Sequence, residues 1–393
     1  MIRILSAVLL AYAVILPLAG CWSKHELRDV GLILGWGMDR DKNGAYIGSA
    51  QIAIPSRITL GQGGSGKDTP PYITLSGKGK DILEAASDIQ LKTSRLLFAG
   101  HRQNIFIGEK LARYGLIEIL DEYSRNPNVR LRTDIFVVKG GTAKEILNAD
   151  QPFEREPAQE FSKLFGTISG ARLKSFLQLL QDAGERGSCV SIPAFTSDLR
   201  TERHHIYKWA GEGVFNKNLQ LIGYLDAIES QLLMWMQDQQ QPAFSYTLPV
   251  KSEGAVASMD IQHLRGRISS SVSNDKPSFR VTLTGKVFLR ENESKVNLSA
   301  NNAMEILEQK LNRSIKSDAE KMIERVQKRL RSDVLHFGRQ LHREHPYAWK
   351  RMKNNWDSVY FPDAEVKVDT RVTLVKIGLT GTPQHLERRQ VIP

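Results

Sequence analysis

Cysteine and long apolar runs are both scarce in this chain of 393 residues. Cys21 and Cys189 are its two cysteines, so no internal disulfide can form if Cys21 is modified. No apolar run of about 18 residues follows the first 20 residues, so the rest of the sequence lacks the pattern of a membrane-spanning helix. We therefore expect apolar burial to hold the fold together, and we expect Cys189 to be a buried, unreactive thiol.

Motifs for catalysis, metal binding and cofactor binding are also missing. The chain has no His-Glu-x-x-His zinc motif and no Gly-x-Ser-x-Gly nucleophile elbow. The segment 61–67 imitates a phosphate-binding loop, but Asp68 stands where a hydroxyl would bind Mg²⁺, and Pro70 and Pro71 prevent a following helix. We therefore predict that the protein is not an enzyme and that it carries no metal and no cofactor.

The first 20 residues have the pattern of a lipoprotein signal peptide. Arg3 supplies a positive start, an apolar centre of about 15 residues follows, and Leu18, Ala19 and Gly20 precede Cys21. In this pattern the peptide is cut before Cys21, which receives an S-diacylglyceryl group and an N-acyl chain. Each buried CH₂ contributes about 0.8 kcal/mol, so these chains together give stable anchoring. An uncleaved N-terminal anchor is the alternative.

The chain is basic, with a net charge of +11. Such a charge often indicates nucleic-acid binding, but for a protein tied to a bilayer the nearer polyanion is the headgroup layer. Each Lys or Arg near an anionic surface contributes about 1 kcal/mol, and the attraction decays within a Debye length. We interpret the charge as facing a membrane or a protein partner, predict no nucleic-acid partner, and keep a merely solvated basic surface as the alternative.

Apolar periodicity predicts a multidomain α+β protein with mixed and antiparallel sheets packed by helices. Two strand-like runs flank Asn43-Gly44 and predict a hairpin. Helix and strand patterns then alternate, with helices expected at 81–92 and 109–123. The polar, turn-like segment 196–205 is the predicted boundary between region 21–200, expected to hold two small α+β subdomains, and a C-terminal α+β domain, 201–393.

The C-terminal half contains one long amphipathic pattern. Apolar residues recur at steps of three and four from Ala303 to Gly338, which predicts a helix roughly 50 Å long. No heptad is sustained, so we expect this helix to pack on an antiparallel sheet and not to form a coiled coil. Alternating valines in 365–379 predict the last strand of that sheet.

Two further segments are candidate interfaces. Trp349 and Trp356 lie seven residues apart, on one face of a helix, with basic residues beside them. They could contact headgroups or a partner, or could close the core beneath the long helix. Arg102, Gln103 and Asn104 could line an interface or satisfy hydrogen bonds at a strand edge.

Several short motifs occur in a characteristic order along the chain. They are Cys21-Trp22 with Glu26-Leu27 after it, and the segments 100–109, 211–215, 221–225 and 349–361. Together they resemble the Ger(x)C lipoproteins, the C subunits of nutrient germinant receptors in endospore-forming bacteria. Ser23 departs from the family, which commonly has an acidic residue there. Trp22 joins the candidate interface residues on this resemblance.

The resemblance implies a non-catalytic subunit that is acylated and held on the outer face of the spore inner membrane. It also implies A-type and B-type membrane subunits as partners, one of them resembling amino-acid transporters, and a fold of three α+β domains in an extended arrangement. An exported solute-binding lipoprotein that captures a small nutrient itself is the alternative, so direct binding of a small molecule stays open.

Overall fold

The structure is a computed structural model. It describes residues 29–59, 70–126, 129–149, 156–169, 175–185, 187–201, 204–239, 244–249, 256–292 and 302–376. Cys21, Trp22 and the glycine-rich segment 61–67 lie outside these ranges. The described residues form two β-sheets with helices packed on them, which confirms the predicted α+β class.

A nine-stranded sheet occupies the N-terminal part of the chain. Its strands are β1 (Val30–Arg40), β2 (Tyr46–Ala53), β3 (Tyr72–Gly79), β4 (Leu96–Phe98), β5 (Asn104–Gly108), β6 (Asp134–Lys139), β7 (Ser191–Thr201), β8 (His204–Phe215) and β9 (Leu221–Leu225). Their order is β3-β2-β1-β5-β6-β7-β8-β9, and β4 pairs with the start of β1. The predicted hairpin is confirmed as β1 and β2, and Gly44 in its turn has a φ of 84°, a conformation that favours glycine.

Helices cover both faces of this sheet. They are α1 (Pro55–Thr59), α2 (Ile82–Gln90), α3 (Glu109–Tyr114), α4 (Ile117–Arg125), α5 (Ala143–Leu147), α6 (Pro157–Ser169) and α7 (Phe176–Gly184). The predicted helix at 81–92 is confirmed as α2, and its N-cap Asp81 accepts a hydrogen bond from the Glu84 N–H at 2.7 Å. The single helix expected at 109–123 is instead α3 and α4, because Gly115, with a φ of 129°, separates them.

The C-terminal part is built on a four-stranded sheet. Its strands are β10 (Phe244–Pro249), β11 (Val256–Ser273), β12 (Lys276–Asn292) and β13 (Glu365–Lys376), and its helices are α8 (Ala227–Met236), α9 (Ala303–Glu324), α10 (Phe337–Glu344), α11 (Pro346–Met352) and α12 (Phe361–Asp363). β10, β11 and β12 are antiparallel as expected, whereas β13 runs parallel to β12. The helices between β12 and β13 return the chain to the same end of the sheet, and this crossover produces the parallel pair.

The long C-terminal helix packs on the sheet as predicted, but it is shorter than predicted. In α9, the Asn312 amide donates to the Val372 carbonyl at 3.0 Å and its oxygen accepts from the Val372 N–H at 2.9 Å, which ties the helix to β13. A π-helical turn, Arg325–Leu330, follows α9, and the helix ends where Arg331 has a φ of 48°. The prediction of one helix to Gly338 is therefore wrong beyond residue 330.

Within the segment 196–205, predicted to be polar and turn-like, residues 196–201 end β7 and residues 204–205 begin β8. Arg200 pairs with His205, and Thr201 with His204, so the two strands extend as a hairpin. The division of the chain at 200 and 201 stays a prediction.

Candidate functional site

Arg102, the first of the predicted interface residues 102–104 at the start of β5, is buried. Its side chain is 4% exposed, its Nη1 donates to the Tyr123 hydroxyl at 3.0 Å, and the guanidinium carbon lies 5.0 Å from the centroid of that ring. Gln103 is exposed, and its backbone bridges two strands through the Leu34 carbonyl and the Asp134 N–H. An interface role for both residues stays a prediction, and Gln103 is the one whose side chain reaches the surface.

Asn104 holds a buried polar contact between the sheet and α6. Its amide donates to the Ala158 carbonyl, and its side-chain oxygen accepts from the Ser162 hydroxyl at 2.8 Å. The same hydroxyl lies 3.0 Å from Asp134 Oδ2, and burial raises the pKa of Asp134 to about 6. A partner would reach Asn104 only after α6 moved, so its interface role also stays a prediction.

The two tryptophans named as candidate interface residues lie together in the core. Trp349 in α11 is 4% exposed, and Trp356, which begins the π-helical turn Trp356–Tyr360, is fully buried. Their ring centroids are 5.3 Å apart with planes at 71°, a favourable edge-to-face arrangement. This environment agrees with the alternative interpretation of the sequence, in which both tryptophans close the core. Contact with a partner or with lipid stays a prediction and would require the rings to leave the core.

A buried carboxylate lies beneath Trp356. Asp333 is fully buried, and its Oδ1 accepts from the Phe337 N–H at 2.9 Å. Its Oδ2 accepts from the Gly338 N–H at 2.7 Å and from Trp356 Nε1 at 2.9 Å. Burial raises the pKa of Asp333 to about 7, although all three hydrogen bonds act in the opposite direction. Asp333 therefore links the start of α10 to the tryptophan pair.

The loop that contains Asp333 also contacts the nine-stranded sheet. The Cys189 N–H donates to the Asp333 carbonyl at 2.9 Å. The Ser332 hydroxyl donates to the Phe215 carbonyl at 2.7 Å. These bonds join the start of β7 and the end of β8 to the segment between α9 and α10. The candidate interface residue Trp356 thus belongs to a junction between the two sheets, which we call the Asp333 junction.

Two glycines allow the close approach at this junction. A Cβ at Gly187 would lie 2.4 Å from an atom of the Trp349 ring, and Gly187 has a φ of 82°. A Cβ at Gly338 would lie 2.5 Å from the Gly187 Cα. Side chains at either position would separate the surfaces, so the junction depends on glycine at both.

A cleft of about 360 Å³ opens beside the Asp333 junction. Lys217 and Lys353 line it, and Lys217 forms an ion pair with Asp357. Ser188 also lines the cleft, and its buried hydroxyl has no hydrogen-bond partner among the described residues. The cleft is small, its lining mixes polar and apolar residues, and it lies between the nine-stranded sheet and the helical segment before β13.

A larger cleft, of about 660 Å³, lies at the carboxyl ends of three parallel strands. Asp39 is the last residue but one of β1, Glu109 follows β5 and Gly140 follows β6. All three therefore meet at one edge of the sheet, where open α/β sheets commonly bind ligands. Asp39 accepts from the N–H groups of Ala143 and Lys144 at 2.8 and 3.1 Å. Burial raises the pKa of Asp39 to about 6. We call this the strand-end cleft.

Charges of both signs surround the strand-end cleft. Glu109 accepts from the Gly140 N–H at 2.6 Å and from Arg113 at 2.6 and 2.8 Å, so its carboxylate is engaged within the fold. Exposed lysine side chains complete the rim: Lys42, Lys110 and Lys144. The arrangement could hold a small polar solute that carries a negative group.

The remaining candidate chemistry is limited. Cys189 is 3% exposed, and burial raises the pKa of its thiol to about 12, which confirms the predicted buried thiol. Within the ranges that the structure describes, no three His, Cys, Asp or Glu side chains are placed to bind a metal ion. Nor does any helix in those ranges have both the length and the apolar character needed to cross a bilayer.

Sequence reasoning missed two buried carboxylates with raised pKa values, Asp39 and Asp333. Asp39 closes an apolar strand run, and Asp333 follows Leu330 by three residues, on the apolar side of the predicted helix. A charged residue at a position that the periodicity assigns to the core is the signal that could have identified both.

Comparison with known proteins assigns the chain to a family. Residues 23–197 match the family model described as "Spore germination protein N-terminal domain". Residues 210–378 match the model described as "Spore germination B3/ GerAC like, C-terminal". Together the two models span nearly all of the residues after Trp22.

Curated relatives from Bacillus subtilis (strain 168) match over almost their whole length. The chain is 26% identical to spore germination protein KC, with 97% of each chain covered. It is 28% identical to the putative spore germination protein YfkR, with 94% of this chain and 97% of that protein covered. A solved structure, "Crystal Structure of the GerBC protein", has the same fold, with a TM-score of 0.58, 20% identity, and 87% of this chain and 97% of that chain covered. The chain therefore belongs to the GerAC-like family of spore germination proteins.

Proposed function

We propose that this protein is a lipid-anchored, non-catalytic subunit of a spore nutrient germinant receptor. It acts on the outer face of the spore inner membrane through contacts with A-type and B-type membrane subunits. The observation that carries the proposal is the match to the two spore germination models, over residues 23–197 and 210–378, which begins two residues after Cys21, the predicted lipid acceptor. The names of the relatives, all spore germination proteins, support the same role.

The environment of the perturbed groups supports a non-catalytic role. Asp39, Asp134 and Asp333 each accept hydrogen bonds from the fold's own donors. Each of these carboxylates therefore contributes to the hydrogen bonding of the fold, which is the role expected of a structural group. Cys189 is held as a neutral thiol by burial, which disfavours a nucleophilic role.

Gene deletion in the parent spore former tests the receptor role. We expect loss of nutrient-triggered germination, measured as dipicolinate release, and restoration by the wild-type gene. Spores of the deletion strain that are activated without nutrients provide the viability control. Germination that stays unchanged with every nutrient tried, in a strain that also lacks paralogous genes, would contradict the proposal.

Mass spectrometry of the native protein tests the anchor. We expect an N-terminal peptide that begins at Cys21 and carries the mass of a diacylglyceryl group and an acyl chain. The Cys21→Ala variant should be extracted from membranes by a high-salt wash more readily than the matched Cys189→Ala variant, because Cys189 is buried in the body of the protein. An unmodified Cys21 thiol would refute the anchor.

The strand-end cleft favours a second candidate function, direct capture of a small nutrient by the lipoprotein. Calorimetry of the full-length protein with a panel of amino acids and sugars tests it. Saturable heat that disappears in a Lys144→Glu variant would support capture, because Lys144 lies on the rim of the cleft. Absence of heat across the panel would leave receptor contact as the function.

A further inference from the structure

An apolar edge is exposed where the described chain begins. The side chains of Leu91, Leu96 and Phe98 are 87%, 48% and 46% exposed. We call these three residues the β4 edge. The short strand β4 pairs in parallel with the start of β1, so that Val30 lies opposite Leu96. Leu96 and Phe98 lie on one face of β4, and Leu91 caps α2, whose last residue, Gln90, is hydrogen-bonded to Arg95 and Leu97.

The β4 edge is held firmly by the rest of the fold. The Gln90 side chain, at the end of α2, donates to the Arg95 carbonyl at 2.9 Å and accepts from the Leu97 N–H at 2.9 Å. Leu97, between the two exposed β4 residues, points inward and packs on the apolar cluster of the sheet. Leu96 and Phe98 therefore point outward because Leu97 fixes the alternation of the strand.

Positive charge accompanies the apolar residues. Lys92 and Arg95 are exposed in the turn between α2 and β4, and Lys92 Nζ contacts Asp88 at 2.8 Å. Apolar side chains next to cationic ones suit the boundary between acyl chains and anionic headgroups. Leu91 is almost completely exposed, so in water its side chain contributes no burial of apolar surface to the stability of the fold.

Chain length places this edge close to the anchor. Cys21 precedes Val30 by nine residues, and nine residues span at most about 30 Å when fully extended. β4 lies beside the first residues of β1 at the spacing of paired strands, about 4.8 Å. A body tied to the bilayer at Cys21 therefore keeps the β4 edge within reach of the headgroup layer.

We propose that the β4 edge inserts into the interface of the lipid bilayer and orients the whole protein. This inference rests on the lipid anchor of the proposed function. β1 runs from the edge to Asp39, a distance of about 30 Å at 3.3 Å per residue. Insertion at one end of β1 consequently points the strand-end cleft, at the other end, away from the membrane and toward partners or solutes.

Fluorescence quenching in vesicles tests the insertion. A Phe98→Cys variant of the full-length acylated protein is labelled with an environment-sensitive fluorophore and reconstituted into vesicles of phosphatidylcholine and phosphatidylglycerol that contain a spin-labelled lipid. Labelling is selective because Cys189 is buried. The matched control is Tyr347→Cys, since Tyr347 in α11 is an exposed aromatic residue, 84% accessible. A thermal melt by circular dichroism checks that both variants fold.

We expect a blue shift and at least twofold quenching for the label at 98, and neither for the label at 347. Protein that sediments with the vesicles while the label at 98 stays unquenched would overturn the inference and leave the anchor intact, with the edge facing solvent or a protein. Equal quenching at both positions would also overturn it, since the body would then lack a preferred orientation. Protein that fails to sediment would refute the anchor itself, and the inference with it.

Discussion

Replacement of Asp333 by Asn tests the Asp333 junction, because the two side chains have the same shape and differ in charge. Asp333 is fully buried, and burial raises its pKa from the ordinary 3.8 to about 7. Below pH 7 the native carboxyl is protonated and resembles the neutral amide. Above pH 7 the native protein holds a buried carboxylate, which accepts hydrogen bonds from three N–H groups.

The sign of the pH effect follows from the difference between the folded and unfolded pKa. Between pH 3.8 and 7 the native state binds more protons at Asp333 than the unfolded state, so the stabilisation that this proton contributes is lost as pH rises through about 7. At pH 5 the unfolded carboxyl is already ionised, and about two pH units remain to the native pKa. At about 1.36 kcal/mol per unit, the wild type loses about 3 kcal/mol from this group between pH 5 and pH 8.

Urea unfolding followed by tryptophan fluorescence measures this loss at pH 5 and pH 8. The free energy of unfolding of wild type minus that of Asp333→Asn should be about 3 kcal/mol more positive at pH 5 than at pH 8. Asp39 and Asp134 also have raised pKa values, but they are present in both proteins and cancel in the difference. The control is Asp121→Asn, an exposed carboxylate paired with Arg125, which should show no such change. A difference that is constant with pH would refute the reasoning.

Three further predictions concern packing and reactivity. Gly187→Ala should lower the free energy of unfolding by about 3 kcal/mol, because its Cβ would overlap the Trp349 ring and its φ is 82°. The control Gly184→Ala should change this free energy little, since its Cβ would enter open space. Equal urea midpoints for the two variants would contradict this prediction. Asn312→Ala should cost about 2 kcal/mol in the same assay by breaking both hydrogen bonds to Val372, and an unchanged midpoint would show that these bonds contribute nothing. The Cys189 thiol, with its pKa raised to about 12, should react with a disulfide reagent at pH 8 at least 1000-fold more slowly in native protein than in urea; fast native labelling would show that the thiol is accessible.

Local features of the fold could be predicted because their causes are local. The hairpin of β1 and β2 follows from Asn43-Gly44 between two β-rich runs, and α2 follows from its apolar spacing and the Asp81 cap. Breaks inside apparently continuous patterns were harder to predict. Gly115 divides α3 from α4 while the apolar spacing continues through it, and periodicity alone does not register such a break.

The candidate site was only partly predictable for a related reason. The spacing of Trp349 and Trp356 predicted that they share one face of a helix, which is wrong, because α11 ends at Met352 and Trp356 begins a separate π-helical turn. The rings still meet in the core, where the Trp349 ring packs on Gly187, far away in the chain. Likewise, Arg102 and Asn104 have the residue types of an interface, yet Tyr123 and Ala158 are their partners inside the fold. Whether a polar side chain faces outward is set by which distant elements pack over it.

The sequence by itself determined the family, the α+β class, the signal-peptide pattern and the alternation that defines most strands and helices, because each of these depends on residue order over short spans. Tertiary structure alone decided where the long C-terminal helix ends, that β13 runs parallel to β12, and that Asp333 is buried beneath Trp356. The physical reason is that a buried charge, a close glycine contact and a crossover each join residues from separate elements. Periodicity within one element carries no information about such a partner.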